Sequence, residues 1–156
     1  MTDKSQRPTK IAKYEIKRRI GRGAMGVVYE AFDPFVQRTV AIKVAHSQED
    51  LNPGTKQKMR EAFFGEVYSA GRMHHPSVVS VYDAGQEGDL NYIVMEFVDG
   101  VTLQDYVTGG KTLTPNQVVD VIYQCAKGLD YVHREGVIHR DLKPGNIMLS
   151  NDGEVK

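Results

Sequence analysis

The sequence has few of the features that mark a disulfide-linked, membrane-spanning or polyanion-binding protein. One cysteine, Cys125, excludes an internal disulfide or a cysteine-rich metal site and favours a reducing compartment. Twenty basic side chains balance twenty acidic ones, so no net charge attracts nucleic acid or an anionic membrane. No run approaches the ~18 apolar residues of a membrane span, and residues 1–13 lack the apolar segment of a secretory signal. We therefore predict a cytoplasmic protein, with an anchor left open for a longer parent chain.

The length and composition fit one globular domain. The 156 residues fall within the usual ~100–200 residues of a domain, and 40% of them are apolar. Cys125 lies in an apolar helical stripe, so we expect it in the core. His74 and His75 have no cysteine or carboxylate cluster beside them, so a loop that ends a helix explains them better than a metal site does.

The most informative stretch is residues 137–149, VIHRDLKPGNIML. A packed interior would not hold so many polar groups, because each one left unpaired costs about 1–3 kcal/mol. A solvated turn between two strands is one interpretation. The other is the catalytic loop of a protein kinase, because H-R-D-L-x-x-x-N is matched at every specified position. The chain thus resembles the eukaryotic-type protein kinases, and Lys143-Pro144 resembles their serine/threonine branch, which includes bacterial members.

A glycine-rich stretch, residues 21–29, lies near the start of the chain. The pattern G-x-G-x-x-G is weak evidence alone, because it also marks dinucleotide-binding turns. Those turns open a helix, whereas the β-branched and aromatic residues that follow here predict a strand, and therefore a hairpin. The hairpin is either a flexible turn or, by the resemblance, a loop over the phosphates of ATP. The nucleotide contacts so implied are Ile20, Gly21, Gly23, Gly26 and Val28.

A lysine lies in the middle of the next predicted strand, residues 39–44. Lys43 is either a side chain that reaches solvent from a sheet edge or the counterpart of the V-A-I-K lysine, which contacts phosphates and pairs with a helix glutamate. A helix is predicted over residues 56–73. The resemblance selects Glu66 as the glutamate that pairs with Lys43 and leaves Glu61 on a solvated face.

Two further strands, 78–84 and 91–97, are predicted on either side of a turn at residues 85–89. Asp99-Gly100 then predicts a hinge. By the resemblance, backbone groups of Glu96 and Val98 would bind adenine beside Met95. Ala41 and Met148 would supply apolar walls, although all these residues suit a plain core equally well.

The predicted fold is α+β and protein-kinase-like. A flexible arm (1–13) precedes an N-lobe (14–98) with a five-stranded antiparallel sheet and one helix. A hinge and an incomplete, mainly helical C-lobe (99–156) follow. A short helix is expected near residues 102–107. Thr114-Pro115 predicts the start of a long helix that runs to Arg134 and ends before Gly136.

The resemblance implies a role for each polar residue of the loop. Asp141 would orient the substrate hydroxyl and accept its proton, Lys143 would lie near the γ-phosphate, and Asn146 would bind Mg²⁺ or Mn²⁺. His139 is expected to pack beneath the loop, and Arg140 resembles the arginine that pairs with a phosphorylated activation segment.

The resemblance covers residues 14–156, and the sequence ends before the Asp-Phe-Gly motif expected next. That aspartate carries a Mg²⁺, so we expect this segment alone to be impaired in phosphoryl transfer. The long helix would expose apolar residues and favour self-association. Two functions remain: an ATP-dependent kinase acting on serine or threonine of protein substrates, or a non-catalytic, kinase-derived module that binds nucleotide or a protein partner. Retention of the polar loop residues favours the kinase.

Overall fold

The computed structural model describes residues 8–23, 26–45 and 53–156. The side chains of Pro53, Lys56, Met59, Ala62, Glu66 and Ser69 lie outside this description. The chain forms two compact units. The first contains the residues up to Tyr68 together with Val81–Phe97, and the second contains Ser69–Ser80 and Val98–Lys156. Residues 69–80, which the sequence placed in the N-lobe, thus pack with the second unit.

The first unit is built on an antiparallel sheet of six strands in the order β1-β2-β3-β4-β6-β5. The strands are β1 (Lys10–Ile11), β2 (Tyr14–Gly23), β3 (Gly26–Asp33), β4 (Arg38–Ala45), β5 (Val81–Glu87) and β6 (Leu90–Glu96). Strand β4 lies at the centre, and its alternate residues Val40, Ile42 and Val44 are buried. The α+β class predicted from the sequence is confirmed, with one strand more in the sheet than expected.

The additional strand, β1, lies in the segment predicted to be a loose arm. Ile11 is only 1% exposed, because this segment folds back into the sheet core beside Tyr14. The Tyr14 hydroxyl donates a 2.8 Å hydrogen bond to Asp83, and the Ala12 N–H donates to the Glu87 carboxylate. Both acceptors lie on β5, at the opposite end of the strand order, so the sheet curls until its two edges meet.

The turn between β5 and β6 is shorter than predicted. Gly85 lies within β5, paired with Tyr92, and the chain reverses at Gly88-Asp89, where Gly88 has φ 58°. A Cβ atom on Gly85 would overlap the Tyr92 hydroxyl. This glycine therefore makes room for an aromatic ring across the strand pair, whereas the sequence suggested that it formed a turn.

The turn between β3 and β4 is organised by Asp33, which is 3% exposed. Its Oδ1 accepts N–H groups from Phe35 (2.9 Å) and Val36 (3.4 Å), and its Oδ2 lies 3.3 Å from Lys13 Nζ. Burial alone would raise the pKa of Asp33, but these donors outweigh it and lower the pKa overall. The carboxylate therefore holds the turn as an anion.

Helix α1 (Pro53–Ala70) begins and ends three residues earlier than the predicted range. The helix belongs to the first unit as far as Tyr68, and Arg60 Nη1 donates to Gln86 on β5 at 3.2 Å.

The second unit contains β7 (Gly100–Thr102), α2 (Leu103–Thr108), α3 (Pro115–Arg134), a 3-10 turn (Pro144–Asn146) and β8 (Met148–Ser150). The predicted start of α3 is confirmed: Thr114 is the N-cap, and Thr114 and Gln117 form a capping box. Gly136, with φ 79°, follows its end as expected.

The predicted hinge glycine, Gly100, belongs to β7. It lies opposite Ser150, so close to β8 that a Cβ atom would overlap the Leu149 carbonyl oxygen. Close packing of β7 against β8 therefore explains why position 100 is occupied by glycine.

Helix α3 exposes much of its apolar surface. Val118, Val119, Ile122 and Tyr123 are between 39% and 65% exposed, as the sequence led us to expect. Cys125 is half-buried rather than fully in the core, and burial raises the pKa of its thiol. No helix among the described residues is long and apolar enough to span a membrane.

Candidate active site

The glycine-rich stretch forms the hairpin predicted from the sequence. Strands β2 and β3 pair from Glu15 opposite Phe32 to Gly23 opposite Gly26. Ala24 and Met25, at the tip, lie outside the described residues. Ile20, the first predicted contact, is 40% exposed near the end of β2.

The three glycines differ in what surrounds them. Gly26 has φ 148°, and a Cβ atom there would overlap the Val44 carbonyl oxygen of the neighbouring strand. A Cβ on Gly21 would make only an ordinary 3.7 Å contact with Val28, and one on Gly23 would meet no atom of the described residues within 4 Å. Packing of the described residues therefore requires glycine at position 26 alone, and leaves open space beside the backbone at position 23.

Several of the predicted nucleotide contacts lie on one face of the sheet. Lys43, in the middle of β4, pairs with Val28 on one side and Ile93 on the other, and Ala41 pairs with Met95. Paired residues project to the same face of a sheet, as do residues two apart. These five side chains therefore share one face, while the neighbours of Lys43 on β4, Ile42 and Val44, fill the core on the other.

Ile93 was missed by the sequence analysis. It lies two residues before Met95 on β6, directly opposite Lys43. The period-2 alternation of a strand places Ile93 on the same face as Met95. Only the pairing of β4 with β6 shows that it also lies opposite Lys43.

Helix α1 carries Glu66 by its backbone, but the Glu66 side chain lies outside the described residues. The Lys43–Glu66 pair therefore stays a prediction. Glu61 is exposed and accepts a 2.6 Å hydrogen bond from Gln57 Nε2, which agrees with a solvated face.

The predicted adenine contacts are divided between the units. Met95 and Glu96 end β6 in the first unit, whereas Val98, 9% exposed, and Met148 belong to the second. Met148 opens β8 opposite Thr102.

The loop after α3 brings together the three polar residues singled out in the sequence. Lys143 Nζ lies 2.9 Å from Oδ1 and 2.8 Å from Oδ2 of Asp141. Asn146 Nδ2 donates to Asp141 Oδ2 at 2.9 Å and to the Asp141 carbonyl oxygen at 2.8 Å. The predicted cluster of acid, cation and amide is thus formed within six residues of chain.

Local backbone geometry explains how so short a loop closes on itself. Asn146 N–H donates to the Lys143 carbonyl oxygen at 2.8 Å, which begins the 3-10 turn and folds Asn146 back towards Asp141. Arg140 has φ 59°, an uncommon value for a residue with a side chain. The Asp141 N–H in turn donates to the His139 carbonyl oxygen at 2.8 Å.

The hydrogen bond from Lys143 and then that from Asn146 lower the pKa of Asp141 below its usual value. The carboxyl is exposed to water, and desolvation opposes these two hydrogen bonds without outweighing them. Asp141 is therefore an anion at neutral pH, oriented by a cation on one side and an amide on the other.

The expected position of His139 is wrong. The residue is exposed, and Ile138 and Leu142 beside it are 64% and 53% exposed. Its Nδ1 accepts the Asp141 N–H at 3.3 Å within the loop, and the residue lines an open groove together with Cys125 and Leu129.

A metal site can be tested on the donors present. Both hydrogen bonds that the Asn146 amide makes with described residues use Nδ2, which leaves its Oδ1 available, and an oxygen is the ligand that Mg²⁺ prefers. The described residues contain no group of three or more His, Cys, Asp or Glu that could hold a metal ion. His75 Nδ1 accepts the Ser77 N–H, and the ring stacks on Tyr131, as befits a loop residue.

Comparison with known proteins supports one family. Residues 14–156 match the family of the protein kinase domain. The chain is 37% identical over 148 residues to the probable serine/threonine-protein kinase SCO3848 of Streptomyces coelicolor, and 37% identical over 144 residues to the serine/threonine-protein kinase PrkC of Bacillus subtilis. Each match covers 92% of this chain, but 21% and 22% of the relative. The chain thus spans about a fifth of the length of these curated relatives.

A solved structure agrees in fold. The kinase domain of PknI from Mycobacterium tuberculosis matches with a TM-score of 0.77 and 28% identity, over 93% of this chain and 58% of that one.

Proposed function

The chain belongs to the protein kinase family, and from this premise we propose that the protein transfers the γ-phosphoryl group of ATP to serine or threonine hydroxyls of other proteins. The observation that carries the proposal is the Asp141 carboxylate, held by Lys143 and Asn146 in one exposed loop. An exposed carboxylate with two oriented donors is suited to receive a hydroxyl, because it is ionised and water can be displaced from it.

The loop residues would divide the work of phosphoryl transfer. Asp141 would accept a hydrogen bond from the substrate hydroxyl and take its proton as the oxygen bonds to the γ-phosphorus and the bond to ADP breaks. Lys143 would move from Asp141 to the transferring phosphoryl group and offset its negative charge. Asn146 Oδ1 would be one ligand of a Mg²⁺ ion, which neutralises phosphate charge when bound.

The shared face of β3, β4 and β6 supports nucleotide binding in the first unit. An apolar surface made by Val28, Ala41 and Met95 suits the flat adenine ring, and Lys43 on the same face supplies a cation for phosphates. The described residues leave space beside Gly23, where backbone N–H groups would come close to phosphate oxygens.

Calorimetric titration of this chain with MgATP tests the nucleotide site. We expect saturable binding that weakens by at least about tenfold in Lys43→Met, because an ammonium held against phosphates contributes more than a surface charge does. Lys58→Met, which removes an exposed lysine of α1, is the matched control and should bind like the parent. Equal affinities of the three proteins would show that Lys43 does not contact the nucleotide.

Transfer is tested on the product of the complete native reading frame, with radiolabelled ATP and a general protein substrate. Asp141→Asn should reduce transfer by about 10²–10⁴-fold, the usual effect of losing a positioned base. Asp152→Asn, in an exposed turn, should be neutral. If that product binds nucleotide and transfers nothing, the non-catalytic module replaces the kinase as its function.

A further inference from the structure

A carboxylate lies on the sheet face that carries the proposed nucleotide contacts. Glu30, on β3, is two residues from Val28 and pairs with Ala41 of β4. Its side chain therefore projects to the same face as both of them. Val28 and Ala41 are short and apolar, whereas the side chain of Glu30 is longer and reaches further from the sheet. Its carboxylate would thus lie beside the edge of a flat base packed against them, and not beneath the ring.

The carboxylate of Glu30 is held in place by Arg18. The two residues are paired across β2 and β3, and Arg18 Nε donates a 2.6 Å hydrogen bond to Glu30 Oε2. The Glu30 side chain is 20% exposed, whereas that of Arg18 is 63% exposed. In the part of the chain that the structure describes, the Oε1 atom of Glu30 accepts no hydrogen bond. One oxygen is therefore fixed by the arginine, and the other is available to a donor on a ligand.

The position of Lys43 indicates which end of a nucleotide would meet this carboxylate. Lys43 pairs with Val28, whereas Glu30 pairs with Ala41, two residues before Lys43 on β4. Two residues of a strand span about 7 Å. Because the apolar surface proposed for adenine includes Ala41 and its partner Met95, a nucleotide with its phosphates at Lys43 would place the base on the Glu30 side. Glu30 would therefore meet the base and not the phosphates.

We propose that Glu30 Oε1 accepts a hydrogen bond from the 6-amino group of adenine and so favours this base over purines that lack the group. The 6-amino group is a donor on the six-membered ring, at the end of the base remote from ribose and phosphates. A hydrogen bond to an ionised acceptor is stronger than one between neutral groups, and a site built for a donor discriminates against the analogue without it. Because it requires ATP on this sheet face, the contact rests on the proposed function.

The test is calorimetric titration with two ligands, MgATP and the magnesium complex of purine riboside triphosphate, in which hydrogen replaces the 6-amino group. We expect the parent to bind the analogue at least about tenfold more weakly than ATP. Glu30→Met removes the acceptor and keeps an unbranched side chain. It should weaken the binding of ATP and not that of the analogue, so the ratio of the two dissociation constants should fall at least about fivefold.

Glu15→Met is the matched control. Glu15 lies opposite Phe32, two residues beyond Glu30 on β3, so it shares the face but lies further from the proposed base. Its side chain is 53% exposed, and its Oε2 lies 3.5 Å from Lys17 Nζ. The variant makes the same change of charge as Glu30→Met and should keep the ratio of the parent.

Circular dichroism checks that the variants are folded. If Glu30→Met is not, Glu30→Gln, which replaces the charged acceptor by a neutral one, should lower the ratio about threefold. The proposed contact is overturned if ATP binds but the ratio is the same in the parent and the Glu30 variant, or falls equally in Glu15→Met. In either case the proposed nucleotide site would stand. If the folded parent binds no ATP, both the contact and the nucleotide site are overturned.

Discussion

Replacing Gly26 by alanine should destabilise the first unit, although the change adds only one methyl group. The residue has φ 148°, a conformation that side chains rarely adopt, and the new Cβ would overlap the carbonyl oxygen of Val44. That atom belongs to the backbone of a central strand, paired on both sides. The overlap can therefore be relieved only by moving the β3–β4 ladder.

The magnitude follows from two costs. Holding a residue with a side chain in this backbone region costs about 1–3 kcal/mol. Disturbing one ladder hydrogen bond adds about 0.5–1.5 kcal/mol. We therefore expect Gly26→Ala to lower the free energy of unfolding by about 2–4 kcal/mol. For a chain of this length that corresponds to a fall in Tm of about 4–16 °C.

Gly23→Ala is the matched control, three residues away in the same hairpin. Its Cβ would meet no atom of the described part of the chain within 4 Å, so its stability should stay within about 0.5 kcal/mol of the parent. The assay is thermal unfolding followed by circular dichroism, because the chain contains no tryptophan to report by fluorescence. Equal Tm values for the two variants would refute the geometry of the hairpin.

MgATP titration of Gly23→Ala should show weakened binding without lost stability, since the added methyl group occupies the space proposed for phosphate.

Three further changes test other parts of the structure. Thr114→Ala removes the cap of α3 and should cost about 1 kcal/mol by urea unfolding, whereas Thr112→Ala, outside the cap, should be neutral. Asp33→Asn should destabilise the protein at neutral pH, because the pKa of Asp33 is lower folded than unfolded. The ionised carboxylate stabilises the fold at pH values above the ordinary pKa of 3.8, and this stabilisation is lost as the pH falls through the lower pKa of the folded state. The urea midpoints of the parent and of Asp33→Asn should therefore converge from about pH 5 towards pH 2. Gly85→Ala should displace the Tyr92 ring and cost about 1–3 kcal/mol, seen as altered near-ultraviolet circular dichroism and a lower Tm.

Much of the fold follows from local signals in the sequence. Thr114-Pro115 and Gly136 bracket α3 because a capping hydroxyl, a proline in the first turn and a glycine past the end each act within one turn of helix. The glycine-rich hairpin could be predicted for a similar reason, since the β-branched residues after Gly26 disfavour the helix that a dinucleotide site requires.

The errors in the predicted fold have long-range causes. Ile11 looked like part of a polar arm, because its burial depends on Asp83 and Glu87, some seventy residues away, holding the following turn. Gly85 looked like a turn residue, because only the Tyr92 ring on the partner strand shows why a side chain is excluded. Neither contact has a signature within a short window of sequence.

The candidate site also contains one part that the sequence predicted and one part that it did not. The spacing of Asp141, Lys143 and Asn146 predicted that they act together, and their hydrogen bonds confirm that they lie together. The sequence could not show that His139 is exposed, because exposure depends on which side chains the rest of the fold brings against the loop.

The lowered pKa of Asp141 bears on how the proposed reaction would proceed. A carboxyl group that loses its proton this readily is a weak base, while a hydroxyl group holds its proton far more tightly. Full transfer of the proton before the oxygen attacks would therefore be strongly uphill. In the proposed mechanism Asp141 orients the hydroxyl first and receives the proton late, once the bond to phosphorus has made that oxygen acidic. The departure of Lys143 to the phosphoryl group would then remove the main cause of the lowered pKa, so that Asp141 gains affinity for the proton as the hydroxyl releases it.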